Sequence, residues 1–176
     1  MNAYIFHGTE GAPDENWFPW LKSELGNIGI STEVPQLSNS EKPDMNKWLT
    51  EVSTFKTGED TILVGHSLGA VIILRMLERG HKAKAVYLVA PFLNDLGWDV
   101  LKESLFFADN FDWHLIKKQC DHFEVFASKN DPYVSVENVQ EVADNLEVTP
   151  QVLDVNKHFN TDDFPPLLER INLLNK

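Results

Sequence analysis

The chain has a single cysteine, Cys120, in 176 residues. No intramolecular disulfide can form, which fits a reducing compartment. Cys120 lies in a polar stretch, Lys117 to His122, without a motif that would make its thiol catalytic. Basic residues are scarce as well: 15 Lys and Arg stand against 27 Asp and Glu, a formal net charge of -12. Binding to nucleic acid or to an anionic membrane needs clustered cations, so neither is expected; the charge serves solubility. No apolar run approaches the length of a membrane span. The N-terminus opens on a strand, without the basic and apolar regions of a signal peptide, and a soluble, cytoplasmic protein is expected. The sequence has no Walker-type Lys-Ser/Thr loop, no G-x-G-x-x-G and no His/Cys/carboxylate group with zinc spacing. Neither a cofactor nor a metal is therefore expected. Internal repeats, low-complexity tracts and linkers are missing too. With 43% hydrophobic and 24% charged residues, the chain reads as one globular domain over residues 1–176.

What is there is a series of short apolar runs separated by helical stretches. Ala3-Tyr4-Ile5-Phe6, Ser31 to Val34, Thr61 to Val64, Ala85 to Val89, Phe123 to Ala127 and Gln151 to Val155 read as strands. Several are continuously apolar, as in strands covered on both faces. Helices are predicted from Trp17 to Leu25 (closed by Gly26), Pro43 to about Thr54, Ala70 to Arg79 (ended by Gly80), Ser135 to Leu146 and Phe164 to Leu174. This alternation predicts an α/β fold: a three-layer α/β/α sandwich around a mostly parallel six-stranded sheet. Ligands of such folds bind beyond the carboxyl ends of the strands.

One such end carries Gly65-His66-Ser67-Leu68-Gly69. Strand, G-x-S-x-G, then helix is the setting of a nucleophile elbow, in which two glycines permit a tight turn that lifts the serine hydroxyl above the sheet. A serine needs a base, and the base needs an orienting carboxylate. Of six histidines, His158 comes directly after the last predicted strand. His66 lies inside the elbow and is expected to point away from the Ser67 hydroxyl; His7 is expected beside the loop after the first strand. His81, His114 and His122 read as surface residues. Asp131 follows the fifth strand, and Pro132 keeps it extended; Asp121 and Asp154 are weaker candidates for the acid. The backbone N–H groups of Thr9 and Leu68 are the candidate oxyanion hole.

With these residues placed, the chain resembles the α/β-hydrolase superfamily. Within it, the chain is similar to the small serine hydrolases of the retinoblastoma-binding-protein-nine and YdeN type. The resemblance rests on His7-Gly8, Trp17 to Leu21, Gly65 to Ala70, Val89-Ala90-Pro91, Ser128 to Val134 and Lys157-His158-Phe159. It implies a shortened hydrolase sheet, with Ser67, Asp131 and His158 as nucleophile, acid and base. The reaction expected is hydrolysis of a small ester, thioester or activated amide. The aromatic and acidic segment at about 92–115 occupies the place of a cap. Phe92, Phe107 and Trp113, helped by Trp17, are expected to wall a small acyl pocket. Two alternatives stay open at this point: a non-catalytic interaction module on the same fold, and a transferase or C–C bond hydrolase using the same three residues. A protein partner is possible but is not readable from the sequence.

Overall fold

The computed structural model describes residues 1–155 and 157–174. Among them six strands form one sheet, and its five pairings are all parallel. The strands are β1 (Asn2–Phe6), β2 (Ser31–Glu33), β3 (Thr61–His66), β4 (Ala85–Val89), β5 (Phe123–Ser128) and β6 (Gln151–Leu153), in the spatial order β2-β1-β3-β4-β5-β6. The chain steps outward from β1 to β2, returns past β1 to β3, and then moves one way only. Winding therefore reverses between β1 and β3, whose carboxyl ends border the crevice where ligands of such sheets bind. Residues of β3, β4 and β5 are buried throughout, the sign of strands covered on both faces.

Helix α1 (Phe18–Asn27) packs beside α7 (Pro165–Leu174). On the other side α2 (Met45–Val52), α3 (Leu68–Glu78), α5 (Trp113–Lys118) and α6 (Val136–Leu146) follow one another as neighbours. The arrangement follows from right-handed crossovers: the β1–β2 connection runs opposite to the later ones and puts its helix on the opposite face. The short α4 (Asp99–Glu103) lies in the 92–115 segment. Asp44, Asp112 and Ser135 cap α2, α5 and α6 through their side chains, each cap being worth about 1 kcal/mol. Among the described residues no helix is long and apolar enough to cross a membrane.

The structure departs from the sequence-based reading by one or two residues at most element ends, β6 for example stopping at Leu153, and three departures matter here. Gly26 does not close α1; the helix runs on to Asn27, and Gly29, at φ 81°, turns the chain out of it. Strand β3 extends two residues further than its apolar run, into Gly65 and His66 of the elbow. The third concerns the 92–115 segment. Helix α3 is buried on every residue from Leu68 to Leu77, so it needs cover on the side away from the sheet as well. The segment provides it. Arg75 of α3, 3% exposed, donates from Nε and Nη2 to the Phe106 carbonyl (3.1 and 2.7 Å) and from Nη2 to the Asp109 carbonyl (2.6 Å). Its guanidinium pairs with Glu78 at 2.8 Å and lies 3.7 Å from the Phe111 ring centroid. Phe106 is fully buried against Trp48, and Phe92 is buried against Phe107. These aromatics roof a helix.

Candidate active site

Ser67 joins β3 to α3 at φ 57°, ψ -123°, a conformation that costs a non-glycine residue on the order of 1–3 kcal/mol. The surroundings impose it. The Ser67 amide donates to the Val89 carbonyl at 2.8 Å, and the Ala70 amide donates to the Ser67 carbonyl at 2.9 Å. A Cβ on Gly65 would come within 2.6 Å of the Ala70 Cα, and one on Gly69 within 2.6 Å of the His7 carbonyl oxygen. Only glycine fits at either place. Helix α3 thus begins directly behind the serine, with the Leu68 N–H among the first-turn amides that have no acceptor within the helix.

The loop after β1 lies against this turn. A Cβ on Gly8 would sit 2.8 Å from Ser67 Cβ and 3.2 Å from its Oγ. His7, wholly buried, accepts the Leu37 amide on Nε2 at 3.0 Å, so the proton is on Nδ1, which donates to the Gly8 carbonyl at 2.9 Å. Burial holds the His7 pKa below its ordinary value, which keeps this donor-acceptor pattern at neutral pH. The Gly11 amide donates to the same Gly8 carbonyl at 3.2 Å. In a trans peptide the N–H points opposite to the C=O, so Thr9 N–H is turned away from His7 and Gly11. Thr9 lines the cleft beside Ser67.

Asp131 follows β5, and its carboxylate is shut off from solvent. Oδ1 accepts the amides of Tyr133 and Val134 at 2.9 and 3.0 Å, while Oδ2 faces His158 Nδ1 at 2.6 Å. One oxygen serves the turn and the other serves the imidazole, so capping and orienting are not competing roles here. His158 is 9% exposed, and its ring meets Tyr133 edge-on at 5.3 Å. With Nδ1–H held by Asp131, Nε2 carries the lone pair of the neutral ring. Asp121 and Asp154 are both exposed, and neither pairs with His158. His81 bonds Thr57, His122 pairs with Glu124 and His114 is exposed.

Ser67 and His158 share one cleft of about 400 Å³, near the small end of the range for small-molecule sites. Its walls are not those expected. Trp17 is fully buried beneath it, against Phe18, His66 and Phe164. Phe92 packs on Phe107 at 5.5 Å, Phe107 lies 6.5 Å from Phe106, and Trp113 packs on Phe111. None of these four lines the cleft. Phe18, Trp98 and Tyr133 do, and the last two meet edge-to-face at 5.5 Å. Glu10 and Glu15 stand at the opening; Glu15 accepts the Ala12 amide at 3.1 Å. Asn160 Nδ2 donates to Asn16 Oδ1 at 3.2 Å, linking the loops after β6 and β1. Among the described residues no group of three or more His, Cys, Asp or Glu side chains is placed to hold a metal ion.

The profile of the serine hydrolase family matches residues 3–174. The chain belongs to the serine hydrolase family. It is 30% identical over 166 residues to YdeN of Bacillus subtilis, covering 92% of this chain and 87% of YdeN. It is also 30% identical over 170 residues to serine hydrolase RBBP9 of Rattus norvegicus, covering 94% and 91%. The crystal structure of the B. subtilis ydeN product matches with a TM-score of 0.93 at 27% identity, over 99% of this chain and 98% of that one. Mouse α/β hydrolase domain-containing protein 10 matches with a TM-score of 0.74 at 15% identity, over 99% and 89%; at that identity it shows the fold alone. The architecture is a shortened α/β-hydrolase fold of the RBBP9 and YdeN type.

Proposed function

We propose that the chain hydrolyses small carboxylic esters, thioesters or activated amides through an acyl-enzyme on Ser67. The observation that carries this reading is the 2.6 Å contact from Asp131 Oδ2 to His158 Nδ1, with His158 and Ser67 on the same cleft. His158 Nε2 takes the proton from Ser67 as Oγ attacks the carbonyl carbon. Asp131 keeps the tautomer correct and stabilises the imidazolium. The oxyanion is received by Thr9 N–H and Leu68 N–H; one such donor is worth about 2.7–4 kcal/mol of transition-state stabilisation. His158 gives its proton to the leaving group, and water, deprotonated by the same imidazole, then releases the acid.

The cleft supports a narrower substrate class. At about 400 Å³ it favours short acyl groups over lipid chains. Glu10 and Glu15 at its opening repel a substrate carboxylate and leave neutral or cationic esters as the preferred class.

The test is labelling with a fluorophosphonate probe in the native protein, Ser67→Ala and His158→Ala. Labelling of the native protein and loss in both variants is expected. Equal labelling of all three would remove Ser67 from the mechanism. No labelling of the native protein would remove the hydrolase reading.

A further inference from the structure

One buried titratable side chain touches this site without a part in the proton transfer. His66 ends β3, is 5% exposed, and has Nε2 2.9 Å from the backbone carbonyl oxygen of His158. A carbonyl oxygen only accepts, so Nε2 bears the proton and donates. Burial first, and the neighbouring His158 second, hold the His66 pKa well below its ordinary value, so the ring is neutral. It is also packed against three rings. The His158 ring lies at 4.7 Å between centroids, Phe18 at 5.9 Å and Trp17 at 6.1 Å.

The segment on which it acts is strained. Lys157 and Phe159, on either side of His158, both have left-handed backbones at φ 44° and 55°. Non-glycine residues leave that region unless the surroundings hold them. Phe159 is anchored by its buried ring against Phe164 at 5.1 Å, and its carbonyl accepts the Thr161 amide at 3.0 Å. At His158 itself, among the described residues, the backbone carbonyl is held by the bond from His66.

We infer that His66 is a positioning residue: its Nε2–H fixes the backbone of His158 so that one imidazole meets both Asp131 and Ser67. The inference rests on the roles proposed above for those three residues and extends them to the elbow's second position. Without the donor, the His158 carbonyl loses a buried partner and the two left-handed neighbours relax. A shift of about 1 Å in a catalytic group costs about 10²-fold in rate.

The test compares the native protein with His66→Phe, a ring without a donor, His66→Gln, an amide able to donate, and His66→Asn, whose amide is one methylene shorter. kcat and KM are measured on p-nitrophenyl acetate. The downfield proton resonance of His158 Nδ1–H reports on its bond to Asp131. His66→Phe and His66→Asn are expected to lower kcat about 10- to 100-fold, leave KM within about twofold and broaden or abolish the resonance. His66→Gln is expected to restore both kcat and resonance. Native kcat and an intact resonance in His66→Phe would overturn the inference. So would nitrogen-15 spectra of the native protein showing His66 protonated on Nδ1 instead of Nε2, an arm that holds even if His66→Phe does not fold. If the native protein neither labels nor turns over ester, the proposed hydrolysis fails; the tautomer and the resonance still decide whether His66 holds His158.

Discussion

Replacing Gly8 by alanine tests the cleft at the point where two loops nearly touch. The new methyl would stand 2.8 Å from Ser67 Cβ, 3.2 Å from the His66 carbonyl oxygen and 3.2 Å from Ser67 Oγ. Carbon atoms prefer about 3.5–4.0 Å, so the gap must open by at least roughly 0.7 Å. Ser67 cannot supply it, being fixed by its amide bond to Val89 and by Gly65 and Gly69 at the elbow. The Gly8–Thr9 peptide must retreat instead, and Thr9 N–H goes with it. Loss of one oxyanion donor costs about 10²–10³ in kcat, or roughly 2.7–4 kcal/mol. Overpacking costs stability too, about 1–3 kcal/mol, which lowers Tm by roughly 2–12 °C at this size. Turnover of p-nitrophenyl acetate and a thermal melt measure the two effects. Gly26→Ala is the control. Its Cβ meets nothing within 4 Å and it lies inside α1, so it is expected to gain about 0.5–1 kcal/mol at unchanged kcat. A Gly8→Ala variant with native kcat would refute both the contact and the role given to Thr9.

Other substitutions separate chemistry from support. Asp131→Asn can keep an acceptor for Tyr133 and Val134 but loses the carboxylate at His158; kcat should fall by about 10⁴ with Tm nearly unchanged, and a larger fall with Asp154→Asn would reassign the acid. Arg75→Met leaves Glu78 and the Phe106 and Asp109 carbonyls without their buried partner, which should cost about 3–5 kcal/mol in urea denaturation. Because none of these groups lines the cleft, turnover per folded molecule should hold. The pH dependence of stability has a definite sign. His7 and His66 have folded pKa values below the ordinary 6.5, so the unfolded chain binds more protons as pH falls below about 6.5. Stability is whole above that pH and falls below it, by up to about 1.4 kcal/mol per pH unit for each ring. Urea midpoints from pH 7.5 to 5.5 should show this, and the slope should lessen in His66→Gln. A p-nitrophenyl ester bearing a free carboxylate should have lower kcat/KM than its neutral isostere, with the difference shrinking as salt screens Glu10 and Glu15; equal values would refute the charge argument.

What the sequence made legible was local or tied to the order of the strands. Strand β4 was readable end to end because five apolar residues lie between turn formers, with burial on both faces. The elbow was readable because its two glycines answer a demand made within five residues. Asp131 and His158 could be picked as candidates because they stand in the loops after β5 and β6, where such a fold presents side chains to a ligand. Gly26 misled because a glycine is a helix stop only where its backbone is left-handed, and that conformation occurs three residues later, at Gly29.

The walls of the cleft were hidden for a different reason. A buried aromatic and a cleft-lining one have the same composition and need not differ in period, so Phe92, Phe107 and Trp113 could not be told from Phe18, Trp98 and Tyr133. What separates them is Arg75, whose guanidinium meets carbonyls 31 and 34 residues away. Helix α3, apolar almost throughout, is the signal that could have been used: with the sheet on one side, it demands a roof on the other. Once Arg75 and Phe106 have drawn the segment over α3, Phe106 and Phe111 are committed there, while Trp98 of the same segment joins the loops after β1, β5 and β6 at the cleft. His66 follows the same logic. Every residue of β3 is buried, so alternation gives no hint that this side chain reaches a carbonyl 92 residues on. The order of strands β3 and β6 in the sheet does not bring them side by side; the loop that carries His158 crosses back over the elbow, and the bond to His66 is where that crossing is fastened.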